Sequence, residues 1–517
     1  MTGRPVSRRG VLIGGGLAGL SGLAVSGCSA PGQTGRVIRT QLALPEPFTV
    51  SLPLPVLAPV RRIGGEDVVD VEQRRASLEV LPGHRTEMLT YGGAFPGLLV
   101  ESRSGTPLRV RHTNRLGTPT VTHLHGGHTP ADSDGYPTDL VADGETRDYV
   151  YPMTQRAATL WYHDHTMDRT GSQVYAGLLG VHLVRDDGEA ALGLPAGDRE
   201  LPLVVCDRSF DADGQLAYPA TEEDVHETAG HGSAHGSGHD APAPAVVEDR
   251  YVPGVLGDVM LVNGAPWPQV EVEAARYRLR LLNGCSARLL DLALDPPPPG
   301  GEGGVFAQVG SDGGLLEHVV THDRLPMAPA ERFDVVVDFS RWPVGSRVTV
   351  VNHAGSGRTG QVLRFVVARR ATDDSTPVDR LGRLSEVEPL AAPRQPTRVW
   401  RFTRGEVHGR AGWVVNGRSF DPARMDAVVP LDRVERWRFA ADMHHPVHAH
   451  LDPFQVLSRA GRGPSATDVG WKDTVSLRPG EHVDVAVRFT RYAGRYVLHC
   501  HNLEHEDWMM MAAFETV

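Results

Sequence analysis

Beyond about residue 40 the chain alternates short apolar runs with polar turns, and no long stretch shows helical periodicity. Its 58 glycines and 39 prolines interrupt the runs at short intervals. That spacing suits many short strands joined by turns better than long helices, which accept neither residue readily in their interiors. The pattern therefore predicts an all-β fold.

One pattern recurs in three distant parts of the chain. A turn with an acidic residue leads into an apolar run, and in the outer copies the run leads to a histidine pair after the same number of residues. The copies are Gly144, Glu145 and Asp148 before His163 and His165; Gly480, Glu481 and Asp484 before His499 and His501; and Ala330, Glu331, Arg332, Phe333 and Asp334 with no pair after them. The middle copy is thus degenerate.

Copies this far apart indicate duplicated domains, because a solenoid would repeat every 20 to 50 residues or so. We predict three related β domains at residues 40–190, 200–371 and 397–517. The first and third are expected to bind metal, and the second is not. The predicted linkers lie near residues 187–199 and in the polar stretch 372–396.

Residues 1–30 have the pattern of an export signal. Arg8 and Arg9 precede a weakly hydrophobic run rich in glycine and alanine, which resembles a twin-arginine signal. The run ends at residues 25–28 in a sequence similar to a bacterial lipobox, in which Cys28 would be lipidated. The alternative is an ordinary cleaved signal that discards Cys28. A transmembrane helix is not favoured, because the run is short and rich in glycine.

We therefore expect an exported protein, either held as a lipoprotein at the outer face of the cytoplasmic membrane or secreted. A lipid anchor at Cys28 is the only membrane contact that we expect.

Charge and composition narrow the function. The chain has 52 basic and 63 acidic side chains, a formal net charge of -11, which argues against a nucleic-acid partner. Four cysteines exclude a disulfide scaffold, whereas 24 histidines supply abundant imidazole, the commonest metal ligand. Lys472 is the only lysine, and we attribute this to GC-rich codon usage without a mechanism.

A low-complexity insertion occupies residues 221–248 within the second domain. Its composition cannot form a core, so it is expected to be a surface loop. Two interpretations of its four histidines stay open: they bind metal loosely, or the loop is a solvated linker. They are His226, His231, His235 and His239.

Four His-x-His pairs carry the strongest chemical signal. They are His123 and His125, His163 and His165, His448 and His450, and His499 and His501. Residues two apart in a strand point to the same face, so each pair directs two imidazoles to one place. Eight neutral nitrogen ligands suit two or three copper ions that keep positions open for a small ligand such as dioxygen.

Cys500 lies between His499 and His501 and must point to the opposite face of that strand. A thiolate with two imidazoles and a weak thioether is the ligand set of a blue-copper centre. The candidates for the other ligands are His445, His505 and Met510. Alternatively Cys500 is a structural thiol, His505 a surface residue and Met510 a core residue, but these roles do not explain the recurring ligand spacing.

Together these motifs resemble the four copper motifs of the multicopper oxidases. The closest likeness is to the three-domain bacterial group that includes spore-coat laccase, bilirubin oxidase, phenoxazinone synthase and exported cuprous oxidases. Three less specific stretches support this likeness, namely residues 91–97, 308–314 and 328–332.

The resemblance implies three cupredoxin-like Greek-key β-barrel domains and four copper ions. It assigns the type 2 copper to His123 and His448; one type 3 copper to His125, His163 and His501; the other to His165, His450 and His499; and the type 1 copper to Cys500, His445 and His505 with Met510 axial. It also places proton-delivering carboxylates at Asp134 and Glu506, although either is equally explained as a structural hydrogen-bond acceptor.

The function predicted from this resemblance is a laccase-like oxidase. A small reducing substrate, a phenol or an aromatic amine, would donate single electrons at the type 1 site, and four electrons would reduce dioxygen to water. The second choice is oxidation of cuprous or other metal ions, although the insertion is rich in histidine where some cuprous oxidases have methionine. A non-catalytic copper-binding envelope protein is the alternative from a different class.

Two cysteines lie outside the copper motifs. Cys206 and Cys285 form a disulfide after export or remain buried free thiols, and Cys206 ends an apolar run that suits the second alternative.

Overall fold

The computed structural model of the protein describes residues 33–220, 247–301, 303–407 and 409–517. The predicted export signal with Cys28, and the four histidines of the insertion, lie outside the described residues. Within those ranges no helix is both long enough and apolar enough to cross a membrane.

Short strands make up most of the regular secondary structure. Up to residue 190 they are β1 Arg36–Val37, β2 Val60–Ile63, β3 Glu66–Leu78, β4 Thr86–Tyr91, β5 Val100–Arg103, β6 Leu108–Arg115, β7 Thr122–His125, β8 Thr146–Tyr151, β9 Ala158–Asp164 and β10 Leu179–Arg185.

In the middle third they are β11 Glu200–Arg208, β12 Val255–Leu256, β13 Val259–Val262, β14 Ala265–Pro266, β15 Gln269–Ala274, β16 Arg276–Asn283, β17 Leu290–Asp295, β18 Phe306–Ser311, β19 Gly314–His322, β20 Leu325–Met327, β21 Arg332–Asp338, β22 Arg347–Asn352 and β23 Gln361–Arg370.

In the last third they are β24 Arg398–Val407, β25 Arg410–Val415, β26 Ala427–Val429, β27 Val434–Ala441, β28 His445–Ala449, β29 Phe454–Arg459, β30 Thr474–Leu477, β31 His482–Arg488, β32 Gly494–Cys500 and β33 Met511–Thr516. The described residues also form short α-helices, α1 Thr170–Tyr175, α2 Asp187–Ala191 and α3 Leu503–Asp507.

The larger sheets form three successive pairs along the chain. The first pair has the orders β2-β3-β6-β8 and β5-β10-β9-β7; the second has β14-β13-β11-β16-β21-β18-β19 and β15-β23-β22-β17-β20; the third has β25-β24-β27-β31-β29 and β26-β33-β32-β28-β30. In strands such as β6 and β27 alternate residues are buried, so one face packs on a core, whereas β7, β9 and β28 are buried on both faces.

The same framework recurs in each pair. One sheet contains a parallel pair followed by an antiparallel neighbour, in β3-β6-β8, β11-β16-β21 and β24-β27-β31. The facing sheet contains an antiparallel pair, β7 with β9, β17 with β22, and β28 with β32. The three copies seen in the sequence are therefore three copies of one topology, whose exact boundaries stay predictions.

The acidic residue of each repeat binds two arginines of the neighbouring strand. Its direct partner across the strands is an arginine in all three copies, and the second arginine lies two residues earlier on the same face. The sets are Asp148 with Arg109 and Arg111, Asp334 with Arg278 and Arg280, and Asp484 with Arg436 and Arg438.

The middle ion-pair set is the most deeply buried. The side chains of Asp334, Arg278 and Arg280 are 5%, 3% and 1% exposed, whereas that of Asp148 is 32% exposed. Burial by itself would raise the pKa of Asp334, but the two guanidinium groups outweigh it and lower that pKa. The middle domain, which lacks the histidine pairs, thus keeps the framework of the other two.

We expect Asp334→Asn to destabilise the protein by about 3 kcal/mol, because it leaves two buried guanidinium groups short of a counter-charge. Asp148→Asn is the matched control, and its loss should be much smaller because solvent screens that ion pair. Thermal unfolding followed by calorimetry compares the two variants. Equal losses would contradict the importance that we give to burial.

Candidate metal centre

The histidine pairs lie on two antiparallel strand pairs, one in the first domain and one in the third. His123 of β7 is directly opposite His163 of β9, and His448 of β28 is directly opposite His499 of β32. His165 follows the end of β9, as His450 follows that of β28. Each strand pair therefore presents four imidazoles on one face, as the period of two predicts.

The two groups of four meet face to face between the domains. The rings of His123 and His450 stack with centroids 3.8 Å apart, and those of His125 and His448 with centroids 3.6 Å apart. Nε2 of His165 is 3.3 Å from Nε2 of His499. All eight histidines are at most 1% exposed, so the cluster is closed to bulk water.

Within the cluster, several sets of three histidines have their ring nitrogens within 4.8 Å of one another. The sets are His123, His448 and His450; His123, His125 and His163; and His165, His450 and His499. The last is one of the type 3 sets that the family resemblance implies. His501 joins none of the three, but its ring centroid is 5.1 Å from that of His125 and 5.2 Å from that of His163.

The free ring nitrogens test whether metal ions suit this cluster. A buried polar nitrogen without a partner is costly, so native structures rarely leave one. Within the cluster, the nitrogens that have no hydrogen-bond partner among the described residues are Nε2 of His123, Nδ1 of His125, Nε2 of His163, Nδ1 of His165, Nε2 of His448 and both ring nitrogens of His501.

The other nitrogens of three of these rings are held by main-chain carbonyl oxygens. Nδ1 of His123 lies 2.6 Å from the oxygen of Asp134, Nδ1 of His163 lies 2.8 Å from that of Asp164, and Nδ1 of His448 lies 2.8 Å from that of Asp473. These contacts orient the rings and leave Nε2 available to bind a metal ion.

Burial also sets the charge of the rings. It lowers the pKa of His163 to about 3 and that of His165 to about 4, with neighbouring histidines adding to the shift at His163. The pKa values of His123, His125, His448, His450 and His501 are lowered well below the usual value for the same first cause. Neutral imidazoles are the form that binds copper, so the cluster fits the expected metal.

Cys500 faces away from the cluster, as the alternation of β32 requires. It lies opposite Val447, on the face of β28 that also carries His445. Sγ of Cys500 is 3.5 Å from Nδ1 of both His445 and His505, and these two nitrogens are 3.1 Å apart. The three residues form a second buried set of potential metal ligands.

A short helix and the segment after it border this second set. Asn502 caps α3, its side-chain oxygen accepting from the amide of His505, and so turns His505 back towards Cys500. The amide of Cys500 donates to the carbonyl oxygen of Met510, and the amide of Met510 donates to that of His505. Met510 is fully buried in the same core as Cys500.

The thiol itself needs a cation. Burial raises the pKa of Cys500 well above its usual value, so a metal ion in contact with sulfur would be needed to hold it as a thiolate. A softly bound cation with two imidazoles fits this donor set.

The carboxylates predicted to deliver protons touch the imidazoles of the cluster. Asp134 Oδ2 is 2.7 Å from Nδ1 of His450, and Glu506 Oε2 is 3.0 Å from Nδ1 of His499. Glu506 Oε1 is 3.4 Å from Nδ1 of His165. Burial raises the pKa of Asp134; it would also raise that of Glu506, but His499 and His165 outweigh it and lower that pKa to about 2.

One residue of the cluster is absent from the sequence prediction. Asp473 lies next to His125 and His448 and forms with them a further set of potential ligands. Its neighbour Lys472 is fully buried and lies 3.0 Å from Asp312 and 3.1 Å from Glu331. In the sequence, the only signal for this network is the single lysine between Trp471 and Asp473. Codon usage, to which the sequence analysis attributes that lysine, does not predict its buried ion pairs.

The other two cysteines among the described residues are free. Cys206 and Cys285 are both buried as thiols in the core of the second domain, in agreement with the second of the two alternatives.

Comparison with known proteins identifies the family. Two family models described as multicopper oxidase match residues 72–189 and 392–517. The chain is 32% identical to a laccase of Bacillus subtilis (strain 168), over 90% of this chain and 98% of the relative. It is 33% identical to a bilirubin oxidase of Albifimbria verrucaria, over 90% of this chain and 81% of the relative.

Solved structures agree with the predicted fold. A multi-copper oxidase from Pediococcus acidilactici has a TM-score of 0.77 at 29% identity and covers 93% of both chains. The McoA multicopper oxidase of Aquifex aeolicus has a TM-score of 0.74 at 30% identity, covering 92% of this chain and 100% of that one. The predicted architecture of three cupredoxin-like domains is confirmed. The chain belongs to the multicopper oxidase family, copper-dependent oxidoreductases that use dioxygen as the electron acceptor.

Proposed function

We propose that this laccase-like enzyme oxidises phenols or aromatic amines with four copper ions, one type 1, one type 2 and two type 3. Bound copper would supply the one-electron redox chemistry and the site where dioxygen is reduced to water. The residues proposed to hold the type 1 ion are Cys500, His445, His505 and Met510, and those proposed for the other three are His123, His125, His163, His165, His448, His450, His499 and His501.

The observation that carries the proposal is the position of Cys500 on β32. Its backbone continues directly into His499 and His501, whose imidazoles lie in the buried cluster on the other face of the strand. A continuous covalent path through the backbone therefore joins the two sites. A metal-storage protein gains nothing from this link, whereas an oxidase needs it to carry electrons between them.

Two carboxylates would deliver protons to the cluster. We propose that Asp134 holds a proton at Oδ1, which has no hydrogen-bond partner among the described residues, while its Oδ2 accepts from Nδ1 of His450. Glu506, as a carboxylate, would pass protons at Oε1 beside His165. Because the eight imidazoles are almost fully buried, protons must arrive through such groups and not through bulk water.

Electron donors would enter near His445. Nε2 of His445 lies 3.1 Å from Oδ1 of Asp442, whose side chain is 34% exposed. An electron donor needs only to approach the protein surface next to His445, so many organic reductants would be suitable substrates. The same carboxylate favours the second candidate function, oxidation of a metal cation such as Cu(I), which a negative group at the entrance would attract.

We expect Cys500→Ser to abolish the blue colour and oxygen uptake with a phenolic donor, because the link between the sites is lost. Metal analysis should still find the three cluster ions, since Cys500 contributes nothing to that face. Absorption, oxygen-electrode and copper measurements check this. A variant that stays blue would refute the ligand assignment, and a parent protein that bleaches with donor but consumes no oxygen would refute the oxidase.

We expect Asp442→Asn to lower kcat/KM for Cu(I) about tenfold while changing it less than twofold for an uncharged phenol, because only the cation loses an attractive charge. Asp421→Asn, at an exposed acidic residue of the same domain, is the control. Equal effects on both donors would remove the support for metal-ion oxidation.

The location is a further proposal, since it rests on residues 1–30 alone. We propose export through the twin-arginine signal and lipidation at Cys28. Cys28→Ala should move the protein from the membrane fraction to the soluble one, and loss of Arg8 and Arg9 should keep it in the cytoplasm. An unchanged membrane fraction in Cys28→Ala would contradict the anchor.

A further inference from the structure

The copper-free second domain reaches the metal cluster through one carboxylate of the third domain. Asp473 Oδ1 is 3.0 Å from Nε2 of His125, and the main-chain oxygen of Asp473 is 2.8 Å from Nδ1 of His448. These two imidazoles belong to different domains and stack on each other. One residue therefore orients a ligand from each side of the cluster.

Asp473 has the position of a metal ligand but the contacts of an orienting group. Both of its carboxylate oxygens are taken by the guanidinium of Arg332, with 2.7 Å from Nη1 to Oδ1 and a second, short contact from Nη2 to Oδ2. Oδ1 also accepts from the hydroxyl of Thr474 at 2.9 Å. The nitrogen of His125 that faces Asp473 is Nε2, whereas the free nitrogen is Nδ1. The carboxylate thus fixes the ring, and Nδ1 is left for the metal ion.

Every hydrogen-bond donor of the Arg332 side chain has a partner. Its Nε donates to the main-chain oxygen of Thr159, Nη1 donates to that of Ala330, and Nη2 donates to that of Asp312. With the two bonds to Asp473, all five donor positions of the guanidinium are satisfied. The side chain is fully buried, so this geometry is rigid and excludes water.

Other charged side chains hold the backbone around Asp473 in place. Asp312 accepts from the amide of Arg332 at 2.8 Å and from those of Asp473 and Thr474 at 3.3 Å each. Lys472 binds both Asp312 and Glu331, and burial, which would lower its pKa, is outweighed by these two carboxylates, which raise it.

A glycine of the first domain packs against the Arg332–Asp473 ion pair. Gly126, immediately after His125, has a φ of +83°, and a Cβ there would lie 2.7 Å from Arg332 Nη2 and from Asp473 Oδ2. Backbone without a side chain is needed at this contact. All three domains therefore meet at the Arg332–Asp473 pair.

We propose that Arg332, on β21 of the second domain, is a positioning residue for the copper cluster, acting through Asp473 on His125 and His448. This inference rests on the proposed function, because it assumes that those imidazoles hold copper. It gives a role to the sequence stretches 308–314 and 328–332, which supply Asp312, Glu331 and Arg332. The domain that lost the histidine pairs would then retain a charge network that orients its neighbours' ligands.

The test uses the copper-loaded protein and the variant Arg332→Gln. Competition with a copper chelator should show cluster copper held about 10- to 100-fold more weakly, as expected when a group that orients a ligand is lost. The type 2 electron paramagnetic resonance signal should change, while the blue absorption of the type 1 site should not. If this variant does not fold, the double variant Arg332→Gln with Asp473→Asn, which leaves neither charge unpaired, carries the same expectation.

Arg278→Gln is the matched control. Arg278 is an equally buried arginine of the second domain, but its partners are Asp334 and Glu189 and not the carboxylate beside the cluster. It should lower stability without changing copper retention or the type 2 signal. The proposal is overturned if the Arg332 variants keep cluster copper within twofold of the parent with an unchanged type 2 signal. A parent that is neither blue nor oxygen-consuming would instead refute the proposed function.

Discussion

Burial of eight imidazoles at the contact between the first and third domains is the constraint on which the rest of this structure depends. Six of the eight rings keep at least one nitrogen without a hydrogen-bond partner among the described residues, in a space that water does not enter. Removing water lowers the pKa of rings such as those of His123 and His448 and so produces the neutral form that binds metal. The cost of those free nitrogens is offset only when cations bind, which couples metal binding to the stability of the domain contact.

The alternation of side chains along a β-strand allows one strand to contribute residues to both metal sites. On β32 one face carries His499 and the other carries Cys500, so a single segment belongs to two sites that share no ligand. On β28 the same alternation separates His448 from His445. Because β28 and β32 pair in register, His448 lies opposite His499, and Val447 lies opposite Cys500.

The central domain keeps the duplicated framework although it has no His-x-His pairs at the matching strands. Its strands β17 and β22 occupy the places that carry histidines in the outer domains, and its own ion-pair set is the most buried of the three. Arg332 and Asp312 of that domain contact the segment that begins at Lys472. The middle domain therefore contributes rigidity at the point where a shift of a few tenths of an ångström would move the imidazoles of His125 and His448.

Much of this was readable from the chain because the relevant physics is local. Alternation with a period of two fixes which face a side chain takes, so the histidine pairs, the opposed direction of Cys500 and an all-β fold followed from spacing alone, and the family resemblance added the three cupredoxin-like domains. The stacking of His123 on His450, the contacts of Glu506 and the role of Lys472 did not follow, since each joins residues from distant parts of the chain. Whether Cys206 and Cys285 pair was equally undecided until their burial as free thiols was seen. Such contacts depend on how whole domains pack, and only the tertiary structure determines that packing, because no short segment contains the surfaces that meet.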